Sequence, residues 1–233
     1  MRKIITSKKN DLILDETNEA IRFWLANPDN QCDTIIRQIN EERMYDPIFA
    51  NREDLTVIDF GANAGFFTLY AQDSCSQLIA VEPFPDTYAT LQEMTRPYSQ
   101  VQTLQCALSS HAGTVEFFVN ENSTTNSLVN RGGSSITVPA NTIKGILDQY
   151  NLEWVDFVKC DIEGSESIAL ADDTLSTVSD NIGCWFVEVH QTNVGEMPWP
   201  GNLETNRQNL AALFRNHGYE TEMVIHDQLF AYK

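Results

Sequence analysis

The chain has 233 residues, 42% of them hydrophobic, which suits one domain with a sizeable core or one domain plus a modest extension. Acids outnumber bases 33 to 15, giving a formal charge of −18, and no Lys/Arg cluster interrupts that excess; such a surface repels phosphate backbones and argues against a nucleic-acid partner. Five cysteines, at positions 32, 75, 106, 160 and 184, form no Cys-x-x-Cys pair, and their odd count favours a reducing compartment over a disulfide framework. The first 30 residues lack a signal h-region and no run reaches the roughly 18 apolar residues of a membrane span, so a cytoplasmic protein without membrane attachment is expected.

Residues 1–54 read as an N-terminal helical extension. Asp15 to Ala26 places Ile21, Trp24 and Leu25 at helical spacing, and Gln31 to Met44 does the same with Ile35, Ile36 and Ile39, before Tyr45-Asp46-Pro47 breaks the pattern. Thr56 to Phe60 is an apolar run with Asp59 near its end. It opens into Gly61-Ala62-Asn63-Ala64-Gly65, after which Phe66 and Phe67 resume at helical spacing. That order is a buried parallel strand feeding a helix, with a ligand laid across the turn. A dinucleotide site asks for Gly-x-Gly-x-x-Gly, and Asn63 occupies the place of the second glycine.

Gln77 to Val81 is a second strand, ending at Glu82-Pro83, and Glu82 stands 21 positions beyond Gly61. A carboxylate about 20 residues past the glycine turn, at the end of the second strand, is where ribose hydroxyls are held. A helix from Pro85 to Arg96 follows, then a third strand from Val101 to Leu108, with Ala107 and Leu108 where an adenine ring would rest. Thr114–Asn120 and Ile136–Pro139 read as short strands flanking a polar loop, Glu121 to Ser135.

Thr142 to Tyr150 reads as a helix and Val155 to Cys160 as a fourth core strand running into Asp161-Ile162-Glu163-Gly164-Ser165-Glu166. In an open α/β sheet, ligands bind beyond the carboxyl ends of the strands, so Asp161 is expected at the crevice, while Glu166 is accounted for as a first-turn acid favoured by the helix dipole. Ile182 to Val189 is a fifth strand whose alternation sets Glu188 and His190 on one side. A loop carrying Met197-Pro198-Trp199, a helix from Glu204 to His217, and two strands, Tyr219–Ile225 and Gln228–Tyr232, complete the chain.

The Gly-Ala-Asn-x-Gly turn after Asp59, together with Val81-Glu82-Pro83, Ala107-Leu108-Ser109, Lys159-Cys160-Asp161-Ile162-Glu163-Gly164-Ser165-Glu166 and Glu188-Val189-His190, resembles the FkbM family of methyltransferases dependent on S-adenosylmethionine (SAM). The resemblance spans roughly residues 55 to 190. It implies a doubly wound, mostly parallel seven-stranded α/β sheet over residues 55–233, Rossmann-like, with a C-terminal antiparallel hairpin, and it makes residues 1–54 a candidate lid. It also implies O-methylation of a hydroxyl on a sugar, a polysaccharide or a small natural product.

The expected cofactor contacts are Asp59, Gly61, Asn63, Gly65, Phe66, Glu82, Pro83, Ala107, Leu108 and Asp161; the expected acceptor and base groups are Asp161, Glu188 and His190. No metal is assigned, and a divalent cation on Asp161, Glu188 and His190 is the variant reading. Two other functions remain open: a nicotinamide-dependent oxidoreductase, which Asn63 opposes, and a non-catalytic SAM-binding protein, which the intact acid set opposes.

Overall fold

A computed structural model describes residues 4–6, 13–15, 37–39, 42–120, 126–130, 134–191, 202–224 and 227–233. Its centre is β3 (Leu55–Phe60), whose alternate residues enter opposite cores: Ile58 and Phe60 one, Leu55 and Val57 the other. A strand covered on both faces has no use for alternation with polar residues, hence the near-continuous apolar run. Parallel neighbours flank it, β4 (Cys75–Val81) on one side and β9 (Phe157–Cys160) on the other. The chain runs outward from β3 through β4 to β5 (Val101–Leu104), then returns to β9 and continues to β10 (Cys184–Glu188). The strand order therefore reverses between β3 and β9, the place where open α/β sheets bind ligands.

Helices carry the crossovers: α2 (Phe66–Ala71) and α3 (Pro85–Thr95) on the first half, α4 (Ile143–Gln149), α5 (Glu166–Ala169) and α6 (Asp172–Val178) on the second. Helix α3 begins with proline in its first turn, where the missing N–H costs nothing. Helix α4 is capped by Thr142, whose hydroxyl accepts from the Gly145 amide at 2.9 Å. Asn202 caps α7 (Leu203–Asn216) in the same way through the Thr205 amide. Beyond α7, β11 (Glu220–Met223) and β12 (Gln228–Tyr232) form the expected hairpin. Strand β12 inserts antiparallel beside β10, completing a seven-stranded, mostly parallel sheet.

Three expectations need correction. The third strand does not run unbroken from Val101 to Leu108: it leaves the sheet after Leu104, and β6 (Ala107–Leu108) pairs instead with β8 (Ser134–Asn141). Strand β8 is longer than Ile136–Pro139 and forms a separate three-stranded sheet with β6 and β7 (Gly113–Val119). Pro139 is tolerated because β6 reaches only Ala140 and Asn141, so no ladder bond is asked of it on that side.

The N-terminal region is also not wholly helical. Ile4–Thr6 (β1) and Ile13–Asp15 (β2) pair antiparallel, so Asp15 is in a strand, and the rest of the helix expected to Ala26 lies outside the described residues. Residues 37–39 are helical, within the expected second segment, and Tyr45-Asp46-Pro47 opens α1 (Asp46–Phe49) with proline in its first turn. Tyr45, Ile48 and Phe49 are buried in the same core as Leu55 and Val57, with Tyr45 and Phe67 ring centroids 4.8 Å apart. The Met197–Trp199 loop lies outside the described residues.

Candidate active site

The turn after β3 is held by the chain's own contacts. Gly61 (φ +75°) lies so close to β9 that a Cβ would fall 1.8 Å from the Asp161 carbonyl oxygen. The Gly61 and Ala62 amides both donate to the Val81 carbonyl at 3.0 Å, latching the ends of β3 and β4 together. Asn63 takes a left-handed conformation (φ +50°) that asparagine tolerates better than most residues, and its side-chain oxygen accepts from the Ala64 amide at 2.7 Å. Gly65 (φ +95°) starts α2, where a Cβ would meet Leu91 Cδ1 at 2.9 Å. Asp59 is fully buried and accepts from the Thr68 hydroxyl of α2 at 2.7 Å. It ties strand to helix from behind the turn.

A cavity opens over this turn at the carboxyl ends of the strands. Gly61, Ala62, Asn63 and Phe66 line its floor, Glu82, Pro83, Ala107 and Leu108 one wall, and Asp161 and Glu188 the other. Asp59, Gly65 and His190 do not line it; they stand behind those that do. Glu82 is 6% exposed, and both its oxygens are fixed: Oε2 accepts from the Asn63 amide at 2.9 Å, Oε1 from the Phe84 amide at 2.9 Å and the Thr87 hydroxyl at 2.8 Å. Burial pushes its carboxyl above the ordinary range, and the three donors pull against that shift. Oε1, with two donors, is saturated, while Oε2, with one, keeps lone-pair capacity for a further donor.

The opposite wall is crowded with charge. Lys159, buried in β9, places Nζ 3.3 Å from Asp161 Oδ2 and 3.7 Å from Asp59 Oδ1. Burial alone would lower its pKa, but the flanking Asp161 and Asp59 carboxylates raise it, so the ammonium is permanent. Burial raises Asp59, and Lys159 and Thr68 oppose it. Glu188 is raised by the Asp161 carboxylate and by burial, with His190 opposing. Gln38 Nε2 donates to Glu188 Oε2 at 3.4 Å.

His190 sits among four carboxylates. Nδ1 is 2.9 Å from Glu166 Oε1, while Nε2 is 3.5 Å from Glu163, 3.9 Å from Asp161 and 3.9 Å from Glu188. Glu166 Oε1 also accepts from the Ile162 and Gly164 amides, at 3.3 and 3.2 Å, so Nδ1 is the donor in its contact with Glu166. Burial would lower the imidazole pKa, yet Glu166, Glu163 and Asp161 raise it well above 6.5. A raised pKa favours the imidazolium, so these surrounding carboxylates bear directly on any role of His190 in proton transfer.

Four residues at this site were missed or misread from sequence. Glu166 stands in the first turn of α5, as expected, and is also the 2% exposed anchor for His190, a role its local pattern does not show. Lys159 did carry a signal: a lysine inside a buried apolar strand requires a partner. Gln38 lines the cavity from the N-terminal region, and nothing in its local pattern marks it. Asn126, from the polar loop, also lines the cavity. Its Oδ1 accepts from the Asn120 amide at 2.7 Å, and its buried Nδ2 has no hydrogen-bond partner among the described residues.

Residues 59–221 match the family described as the methyltransferase FkbM domain. Methyltransferase sdnD of Sordaria araneosa is 31% identical over 147 residues, 47% of this chain and 57% of that protein. The crystal structure of an FkbM methyltransferase from Methylobacillus flagellatus KT superposes with a TM-score of 0.53 at 17% identity, covering 80% of this chain and 45% of that one. The chain spans about half the length of these relatives.

Proposed function

The chain belongs to the FkbM methyltransferase family, and on that premise we propose that it moves the methyl group of SAM to a hydroxyl oxygen of a sugar, a polysaccharide or a small natural product. The observation that carries the cofactor reading is Glu82. Its buried, pre-oriented carboxylate stands beside the Gly61–Gly65 turn at the sheet's switch point, and the lone pair left on Oε2 suits a ribose hydroxyl. Ala107 and Leu108 suit the faces of an adenine ring, with Phe66 and Pro83 closing the apolar part of the wall. The acid excess around Asp161, Glu163 and Glu188 favours the positive sulfonium and ammonium groups of the methionine part.

SAM, when bound, supplies a methyl carbon already activated by its sulfonium. The chain's task is then alignment and proton removal. Asp161, held by Lys159, orients the acceptor. Glu188, which lines the cavity beside Asp161, would in its ionised form take the hydroxyl proton. The charge of −18 supports a neutral or cationic acceptor over a nucleic acid. Gln38 at the cavity supports residues 1–54 as a covering segment over the acceptor, added to a methyltransferase domain at 55–233.

Calorimetric titration with S-adenosylhomocysteine and NAD tests the cofactor: binding of the first and none of the second is expected, and the reverse sinks the proposal. Tritiated methyl transfer to hydroxylated sugars and natural products then tests the acceptor, with a methyl ether as the expected product. An N-methyl product replaces the acceptor assignment.

A further inference from the structure

The carboxylates around His190 have an arrangement that hydrogen bonding alone does not explain. Glu166 is buried and fixes the ring from the Nδ1 side, turning Nε2 toward Glu163 and Asp161. Neither contact is a hydrogen bond: 3.5 and 3.9 Å are too long. Asp161 Oδ1 is buried and has no hydrogen-bond partner among the described residues, although the other oxygen of the same carboxylate is held by Lys159. A ligand oxygen from Asp161, another from Glu163 and a ring nitrogen of His190 all lie within 4.8 Å of one another.

Ligand atoms bonded at about 2.1 Å to one ion sit about 3.0–3.5 Å apart when adjacent. The Nε2 distances therefore need to close by only a few tenths of an ångström. A histidine whose far nitrogen is fixed by a carboxylate is also how metal-ligating imidazoles are oriented.

We propose that Asp161, Glu163 and His190 form a divalent-cation site, with Glu166 as the residue that positions the imidazole. The donor set, two carboxylate oxygens and one imidazole nitrogen, selects an ion that accepts both, such as Mn2+, Co2+ or Zn2+, over Ca2+. The ligand set differs from the Asp161, Glu188 and His190 grouping suggested by sequence: Glu163, in a left-handed conformation (φ +56°), takes the place of Glu188. Asp161 and Glu163 line the cavity, so the ion's remaining positions face the acceptor, and a hydroxyl oxygen bound there becomes more acidic. That last role rests on the methyl-transfer reading; the site itself does not.

The test uses the full chain, stripped with EDTA and dialysed. Isothermal titration with Mn2+, checked by electron paramagnetic resonance, is expected to show one ion per chain, with Zn2+ competing. Glu163→Gln and His190→Gln are each expected to weaken Mn2+ at least tenfold, with circular dichroism showing that both variants keep the fold. Glu163→Gln keeps the test valid should His190→Gln fold poorly. No binding of Mn2+, Co2+ or Zn2+, or binding that both variants leave intact, overturns the site. Those measurements need no methyl transfer, so loss of S-adenosylhomocysteine binding with Mn2+ binding intact counts against the function and not against the site.

Discussion

Glu166 Oε1 lies 2.9 Å from His190 Nδ1, joining residues 24 apart that come from adjacent parallel strands' outgoing segments. The same oxygen accepts from the Ile162 and Gly164 amides, so one side chain holds both the acidic turn after β9 and the ring after β10. Replacing Glu166 by Ala strands three donors, and a loss of about 3 kcal/mol or more in unfolding free energy is expected from urea melts. Glu166→Gln, which keeps an acceptor oxygen, should recover part of it; equal losses for both variants would show that the three bonds are not what matters.

Lys159 leads to a second prediction. Lys159→Met leaves the buried Asp59 carboxylate without its cation, and removing one partner of a buried pair costs about 3–5 kcal/mol. Adding Asp59→Asn to that variant should restore stability in part, because the uncompensated charge goes with it. A double-mutant cycle in urea reads the coupling, and additive losses contradict the pairing.

Glu82 bears on binding. Glu82→Gln places an amide donor among the Asn63, Phe84 and Thr87 donors, and S-adenosylhomocysteine affinity is expected to fall roughly tenfold to hundredfold. An unchanged dissociation constant in calorimetry removes Glu82 from the ribose role.

The pH dependence of the same residue has two opposite signs. Ribose hydroxyls need the ionised carboxylate, and burial raises the folded-state pKa above 4.5. Affinity should therefore start to weaken, on acidification, at a pH above 4.5. The raised pKa also means the folded chain holds this proton more tightly than the unfolded one. Its contribution to stability is thus fully present below 4.5 and is lost as pH rises through the folded value. Titrations and melts of the wild type against Glu82→Gln, over pH 4 to 7 or so, separate the two trends; parallel trends contradict the assignment.

Gly61→Ala drives a methyl into the Asp161 carbonyl at a positive φ, and a destabilisation of more than about 2 kcal/mol is expected. Gly113→Ala is the control: it also has a positive φ (+137°) but nothing within 4 Å of the added carbon, so the backbone cost of about 1 kcal/mol is all it should pay. Equal melting points for the two variants would rule out the close approach.

Local features explain what could be read in advance. The Gly61–Gly65 turn and the strand-end acid Glu82 are properties of a few consecutive residues, so the parallel sheet and much of the cavity wall were legible. The break between β5 and β6 was not. Val101 to Leu108 is one apolar-centred run, and only the distant β8 edge decides where Ala107 and Leu108 pair. The roles of Glu166 and Glu163 depend on β9 and β10 lying side by side, a fact of sheet order that no window of sequence contains. His190 was found as a residue, but three of the four carboxylates around it, Asp161, Glu163 and Glu166, come from the segment leaving the neighbouring strand, so its surroundings were not legible.

The double donation of Gly61 and Ala62 to the Val81 carbonyl has a consequence for how fast and how tightly a ligand is captured. Because the latch closes when the strands assemble, the ordering entropy of the floor is spent during folding and not at each encounter. A ligand laid across the turn meets backbone already fixed by strand pairing, which lowers the ordering cost charged to binding.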